Sequence, residues 1–189
     1  VLDPTNTRVQ KFSPDGEWVA WLDPSSLTLW RSRRDGSGRL QLTVPPMAVG
    51  LFKWSPDSRR LVFVADKSGG REPGVVHLVS RDGGTLESFS DPHGNPVWDP
   101  CWLGAGTIAW GNLRGAEAAV WTVDLASRRT ASLPGSEGMM GAKCAPDGRV
   151  RARTSHTLNP VPFLVLDGPG RALALAADLP DAGIAHVAA

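Results

Sequence analysis

Phe12-Ser13-Pro14-Asp15-Gly16, Trp54-Ser55-Pro56-Asp57-Ser58 and Cys144-Ala145-Pro146-Asp147-Gly148 are three forms of one pentapeptide, and Trp102-Leu103-Gly104-Ala105-Gly106 is a degraded fourth. Their leading residues are spaced by 42, 48 and 42 positions. The chemistry is that of a tight turn. Proline presets φ at the second corner, Asp and Ser bond back to nearby N–H groups, and glycine takes the residue that needs a positive φ. A turn returning every 40–50 residues or so among short strands is the signature of β-propeller blades.

Outward from each pentapeptide the same succession repeats. A second strand is expected at Trp18–Leu22, Leu61–Val64 and Thr107–Trp110, and a third at Leu27–Trp30, Val75–Val79 and Ala119–Val123. All are apolar, β-branched or aromatic runs of strand length. Asp35-Gly36 and Asp82-Gly83 mark hairpins. Weaker fourth strands follow at Arg39–Thr43, Thr85–Phe89 and Arg129–Leu133. Four antiparallel strands make one blade. A further unit is read from Val150–Arg153 and Phe163–Leu166, while Arg171–Ala189 is Ala-rich and ambiguous, with Gly183–Val187 resembling the strand that enters another blade. No stretch joins helical periodicity to caps, so almost no helix is expected. The predicted fold is all-β: a partial or open propeller with units at about 10–46, 50–90, 98–134 and 140–176, and a tail over 177–189.

Composition narrows the functional classes. Net charge is +1 over 189 residues, and no apolar run approaches the ~20 residues that span a bilayer. Neither direct nucleic-acid binding nor membrane insertion is expected. The first residue is Val1, so a segment upstream is expected to have been removed. The two cysteines, Cys101 and Cys144, stand one residue out of step in the repeat. Alternation sends them to opposite faces, so they are read as two small buried hydrophobes, with a disulfide or metal pair as the alternative.

The pentapeptide, its period and the strand-Asp-Gly-strand-Leu-Thr closure resemble the PD-type (TolB-like) branch of WD-repeat propellers across residues 10–133 and, more thinly, 140–170. The stretch from Leu29 to Met47 resembles the C-terminal propeller of large bacterial proteins, often acidobacterial. Their N-terminal half is a winged-helix domain of CadC type or a Ser/Thr kinase. The resemblance implies a sensor or protein-interaction module and transfers no functional residue.

Chemistry-bearing residues are sparse. Asp15, Asp57 and Asp147 hold equivalent turns in different units, so they read as turn caps, not as ligands of one metal. The four histidines lack zinc-ligand spacing, and His77, mid-strand, reads as packing. Gly135-Ser136-Glu137-Gly138 is one residue short of a nucleophile elbow. No enzyme activity, metal or cofactor is expected. The arginines at 31, 33, 34, 59, 60, 128 and 129 recur in turn regions, either as solvated charges or as a rim for an acidic partner. The loops 67–74 and 90–100 are the longest, and long loops carry binding residues. His93, Asn95, Trp98 and Asp99 are the chosen site, for a protein or small-molecule ligand.

The expected function is a non-catalytic interaction or sensing module of a larger bacterial regulatory protein, with periplasmic or extracytoplasmic placement favoured. The alternative is the accessory propeller of a prolyl-oligopeptidase-type hydrolase whose catalytic domain is absent. Self-association through an uncovered blade face is also expected.

Overall fold

The computed structural model of the chain describes residues 10–66, 74–112, 118–134, 136–137, 141–144, 150–153, 163–167 and 171–176. These contain strands and turns and no helix. The first sheet takes β1 (Gln10–Phe12), β2 (Trp18–Leu22), β3 (Leu29–Arg33) and β4 (Leu40–Gln41); the second takes β5 (Ala48–Trp54), β6 (Arg60–Asp66), β7 (Val75–Ser80) and β8 (Glu87–Phe89). The third holds β9 (Val97–Trp102), β10 (Thr107–Asn112), β11 (Val120–Asp124) and β12 (Thr130–Ser132). The fourth holds β13 (Gly141–Cys144), β14 (Val150–Arg153), β15 (Phe163–Asp167) and β16 (Arg171–Ala176). In every sheet the strands lie in chain order. The paired strands run antiparallel. Contacts divide the chain into two compact units, Val1–Pro100 and Cys101–Ala189.

The pentapeptide turn is a closed hydrogen-bond network. The Ser13 hydroxyl donates to the Asp15 carboxylate and accepts the Trp18 N–H at 3.0 Å, while Asp15 accepts the Glu17 N–H at 3.0 Å. The second copy repeats this bond for bond: Ser55 to Asp57, Arg60 N–H to Ser55 at 2.9 Å, Arg59 N–H to Asp57 at 3.1 Å. Gly16 has φ 73°. Ser58, in the same place, has φ 58°, and its buried hydroxyl accepts the Asp15 N–H at 3.0 Å. The degraded copy closes a shorter turn: Leu103 N–H bonds to Thr107 C=O, four residues on, where Ser13 reaches five residues on to Trp18. The copy at Ala145–Arg149 lies outside the described residues.

Some expected strands start late. Leu27 and Thr28 belong to a turn in which the Asp23 carboxylate accepts the N–H groups of Ser25 and Ser26, and Leu27 has φ 55°. Asp124 and Ser127 build the same turn in the third sheet, with Arg128 at φ 58°. That turn stands where the first two sheets carry Asp35-Gly36 and Asp82-Gly83. Residues 171–176, ambiguous in sequence, form the closing strand β16; residues 177–189 lie outside the described residues.

Strand alternation gives each sheet two faces. On β1, Lys11 is opposite Ala20 and Phe12 opposite Val19. Trp18, Ala20 and Leu22 join Phe52, Trp54, Leu61 and Phe63 in one buried core within the first unit. The Lys11 face of the first sheet therefore looks onto the second sheet, and the Phe12 face looks away. Trp54 is buried, and its indole N–H donates to the Lys11 C=O at 3.0 Å. Trp102 is buried too, but Phe12, in the same repeat position, is 63% exposed.

The cysteine expectation is corrected. Cys101 and Cys144 form a disulfide, with Cα atoms 5.5 Å apart. The alternation was read properly, but its consequence was inverted. Within each unit the two neighbouring sheets stack front to back, so a residue on the forward face of one meets a residue on the backward face of the next. Being one place out of step is therefore what brings the two sulfurs together. In the first unit Lys11 donates to the Phe52 C=O, and Lys53 pairs with Asp99 at 2.6 Å. The second unit packs Ala109, Val120, Leu133 and Ala142 around Cys101.

Candidate functional site

The residues singled out from sequence lie on and beside the loop between β8 and β9. Asp91 organises it: its carboxylate accepts the N–H of His93 at 2.9 Å, the N–H of Asn95 at 3.1 Å and the Asn95 side-chain amide at 3.1 Å. His93 is exposed and Asn95 half-buried. Asp99, with φ 44°, spends its carboxylate on Lys53. The Trp98 side chain lies outside the described residues. The structure thus gathers His93 and Asn95 at one cap and sends Asp99 to a separate ion pair.

A second constellation lies wholly within the first unit. An open cleft of about 580 Å³ is lined by Asp57, Arg59, Arg60, Ser80, Arg81 and Asp82. Arg81, one of its walls, also stands over the indole of Trp18. The guanidinium carbons of Arg31, Arg33 and Arg81 stand 4.7, 4.8 and 4.8 Å from that ring. Cation–π attraction draws each to the ring face, but three like charges also repel one another. Acidic groups offset part of this: Asp82 lies 3.7 Å from Arg31 and 3.9 Å from Arg81, and Asp15 lies 3.9 Å from Arg81. Arg31 is buried and donates to the C=O groups of Arg81 and Gly38. Burial pushes its guanidinium below the ordinary arginine value; Asp82 opposes this, while Arg81 and Arg33 add to it. It stays charged at neutral pH. Arg81 donates to the Ser58 C=O at 3.1 Å, but its Nε, also buried, has no hydrogen-bond partner among the described residues.

Each member reaches the cleft for a local reason. Arg31 and Arg33 alternate along β3 with Ser32. Arg59 and Arg60 follow the pentapeptide turn, and Arg81 precedes Asp82-Gly83, where the Arg81 N–H bonds to the Arg59 C=O at 2.9 Å. The sequence reading had four of these five arginines but not Arg81 or Trp18. The available signal was that Arg81 sits beside an Asp-Gly hairpin at the same end of its sheet as the pentapeptide turn.

Two other candidates serve packing. His77 is buried, stacked on Phe63 at 5.2 Å and bonded to Ser88 at 2.9 Å. The buried Ser136 hydroxyl accepts the Val120 N–H at 3.0 Å and donates to the Leu133 C=O. In the first sheet Thr43 does the same for the Leu29 N–H at 2.8 Å. That gives the Leu42-Thr43 closure its physical meaning.

No protein-family model matches the chain. An uncharacterised peptidase of Bacillus subtilis, YuxL, is 26% identical over 101 residues, covering 48% of this chain and 15% of its own length. Among solved structures, TolB from Acinetobacter baumannii superposes with a TM-score of 0.59 at 13% identity, covering 82% of this chain and 39% of its own. Porphyromonas gingivalis dipeptidyl peptidase 4 gives 0.66 at 16% identity, covering 88% of this chain and 32% of its own. The chain thus spans less than half the length of each of these proteins. With four-stranded antiparallel sheets in chain order, these likenesses define the fold as a partial β-propeller.

Proposed function

We propose that the chain is a non-catalytic β-propeller module that binds a ligand or partner on behalf of a larger protein. The observation that carries this is the arginine-lined cleft at the turns of the second sheet, joined through Arg81 to the arginine cluster over Trp18. The regulatory setting rests on the resemblance of Leu29–Met47 to propellers joined to winged-helix or kinase domains. Extracytoplasmic placement is supported by the Cys101–Cys144 disulfide, since such bonds persist in oxidising compartments. Assay of the purified chain against peptide, ester and phosphoester substrates tests the central claim. No turnover is expected; turnover abolished by one point mutation in the chain overturns it.

The likeness to YuxL favours a second reading, the accessory propeller of a peptidase. The flanking gene sequence separates the two: a winged helix or kinase supports the first, a Gly-x-Ser-x-Gly hydrolase domain the second.

A further inference from the structure

We propose that the cleft lined by Arg59, Arg60 and Arg81 binds an acidic peptide segment, its carboxylates seated between Arg59 and Arg81 and reaching toward Arg33, which shares the Trp18 ring with Arg81. The inference rests on the reading of this cleft as the binding surface and names the chemistry it accepts. Arg59, Arg60 and Arg81 line the cleft with Asp57 and Asp82, leaving it positive, and beside it Arg31 and Arg33 share the Trp18 ring with Arg81. Arg31 is committed to backbone carbonyls and Asp82, and so acts as a fixed post. Arg33 and Arg59 are exposed, with their planar forks available for two-point pairing with a carboxylate. The volume, about 580 Å³, lies in the range of ligand pockets, roughly 300–1,000 Å³. The interspersed Asp57 and Asp82 select a peptide over a polyphosphate. They repel a continuous run of phosphates, whereas a peptide offers N–H donors between its carboxylates for them to accept. The whole chain, at net charge +1, also lacks the broad positive field that draws nucleic acid.

Fluorescence anisotropy of a fluorescein-labelled peptide of alternating Glu and Gly, titrated with the purified chain, tests this. Saturable binding is expected, weakening as salt rises from low to physiological strength. The same peptide with Gln for Glu should not bind. Arg33→Glu and Arg59→Glu should each weaken binding about tenfold or more, while Arg129→Glu, on a turn of the second unit, leaves it unchanged. Both cleft arginines are exposed, and an unchanged near-UV CD spectrum checks that the variants fold. Arg59→Gln, which removes charge without reversing it, should fall between. Absence of binding, equal binding of the Gln peptide, insensitivity to both reversals, or tighter binding of a single-stranded oligonucleotide each overturns the proposal. None of these touches the non-catalytic reading, which fails only on turnover.

Discussion

One repeat position shows at the residue scale how neighbours decide the worth of a side chain. Phe12, Trp54 and Trp102 lead equivalent pentapeptides, yet Trp54 and Trp102 are each 7% exposed and Phe12 is 63% exposed. Trp54→Ala removes a packed indole and its bond to Lys11, and is expected to cost ~3–5 kcal/mol in transfer and cavity terms. Phe12→Ala should cost less than about 1 kcal/mol. Urea denaturation of the two variants makes the comparison; equal losses would show that the position has the same surroundings in both sheets. Ser58 poses a different test, because two effects oppose each other there. Its φ of 58° suits glycine, but its hydroxyl is the acceptor for the Asp15 N–H. Ser58→Ala keeps the strain and loses the bond, so it should destabilise by about 1–2 kcal/mol. Ser58→Gly relieves strain of about 1 kcal/mol as it loses the same bond, and should come out within about 0.5 kcal/mol of neutral. An Ala variant as stable as the Gly variant would mean the hydroxyl contributes nothing.

The element that organises this chain is the Ser-x-Asp turn, and it makes stability depend on acid. The Ser13 hydroxyl holds the Asp15 carboxyl below the ordinary carboxylate value against a smaller desolvation, helped by Glu17, Ser58 and Arg81. Burial pushes Asp57 up, but the Ser55 hydroxyl, the Arg59 N–H and the charges of Arg60 and Arg59 together outweigh it. A folded-state pKa lowered in this way gives stability that is present above the unfolded value of about 3.9 and lost as pH falls through the folded one. Denaturation midpoints should therefore fall steeply below about pH 4. Ser55→Ala should cost about 1–3 kcal/mol at pH 7 and flatten that fall, because Asp57 returns toward its unfolded value. Parallel pH profiles for wild type and variant would remove this turn from the acid response. The turn is also why so much of the fold was legible. Pro14, Asp15 and Gly16 act within five residues, so their meaning survives in a bare sequence, and the period places each sheet. The disulfide and the cleft depend on which face of one sheet meets the next, and no local signal carries that. Arg81 and Trp18 lie 63 residues apart and meet only after two sheets have stacked. Ser136 was weighed as part of a failed nucleophile motif because its partner, Val120, is 16 residues away.

At the scale of the whole molecule, Phe12 stands exposed on the face of the first sheet turned away from the second, though Val19 and Trp21 on that face are buried. Apolar area stabilises by roughly 25 cal/mol per Å² when covered, so a second copy is the expected cover. Sedimentation should show concentration-dependent association that Phe12→Ser abolishes; a monomer at all concentrations for both proteins would sink the expectation. The second unit is held differently. Among its described residues Trp102, Ile108, Trp110 and Val123 are buried, and a cluster of Ala109, Val120, Leu133 and Ala142 surrounds Cys101. The disulfide adds a covalent tie to that packing. It closes a separation of 43 residues, and chain-entropy arithmetic gives a loop of that size roughly 4 kcal/mol of stabilisation through the unfolded state. That is a large fraction of the ~5–15 kcal/mol typical of a domain. Reduction, or Cys101→Ser, should therefore lower the denaturation midpoint of the second unit far more than that of the first, separating two transitions. Thiol titration of the unreduced, denatured chain should find no free cysteine. Two titratable thiols in protein exported to an oxidising compartment, or a midpoint indifferent to reductant, would show that packing alone joins these strands, and would remove the support the bond lends to extracytoplasmic placement.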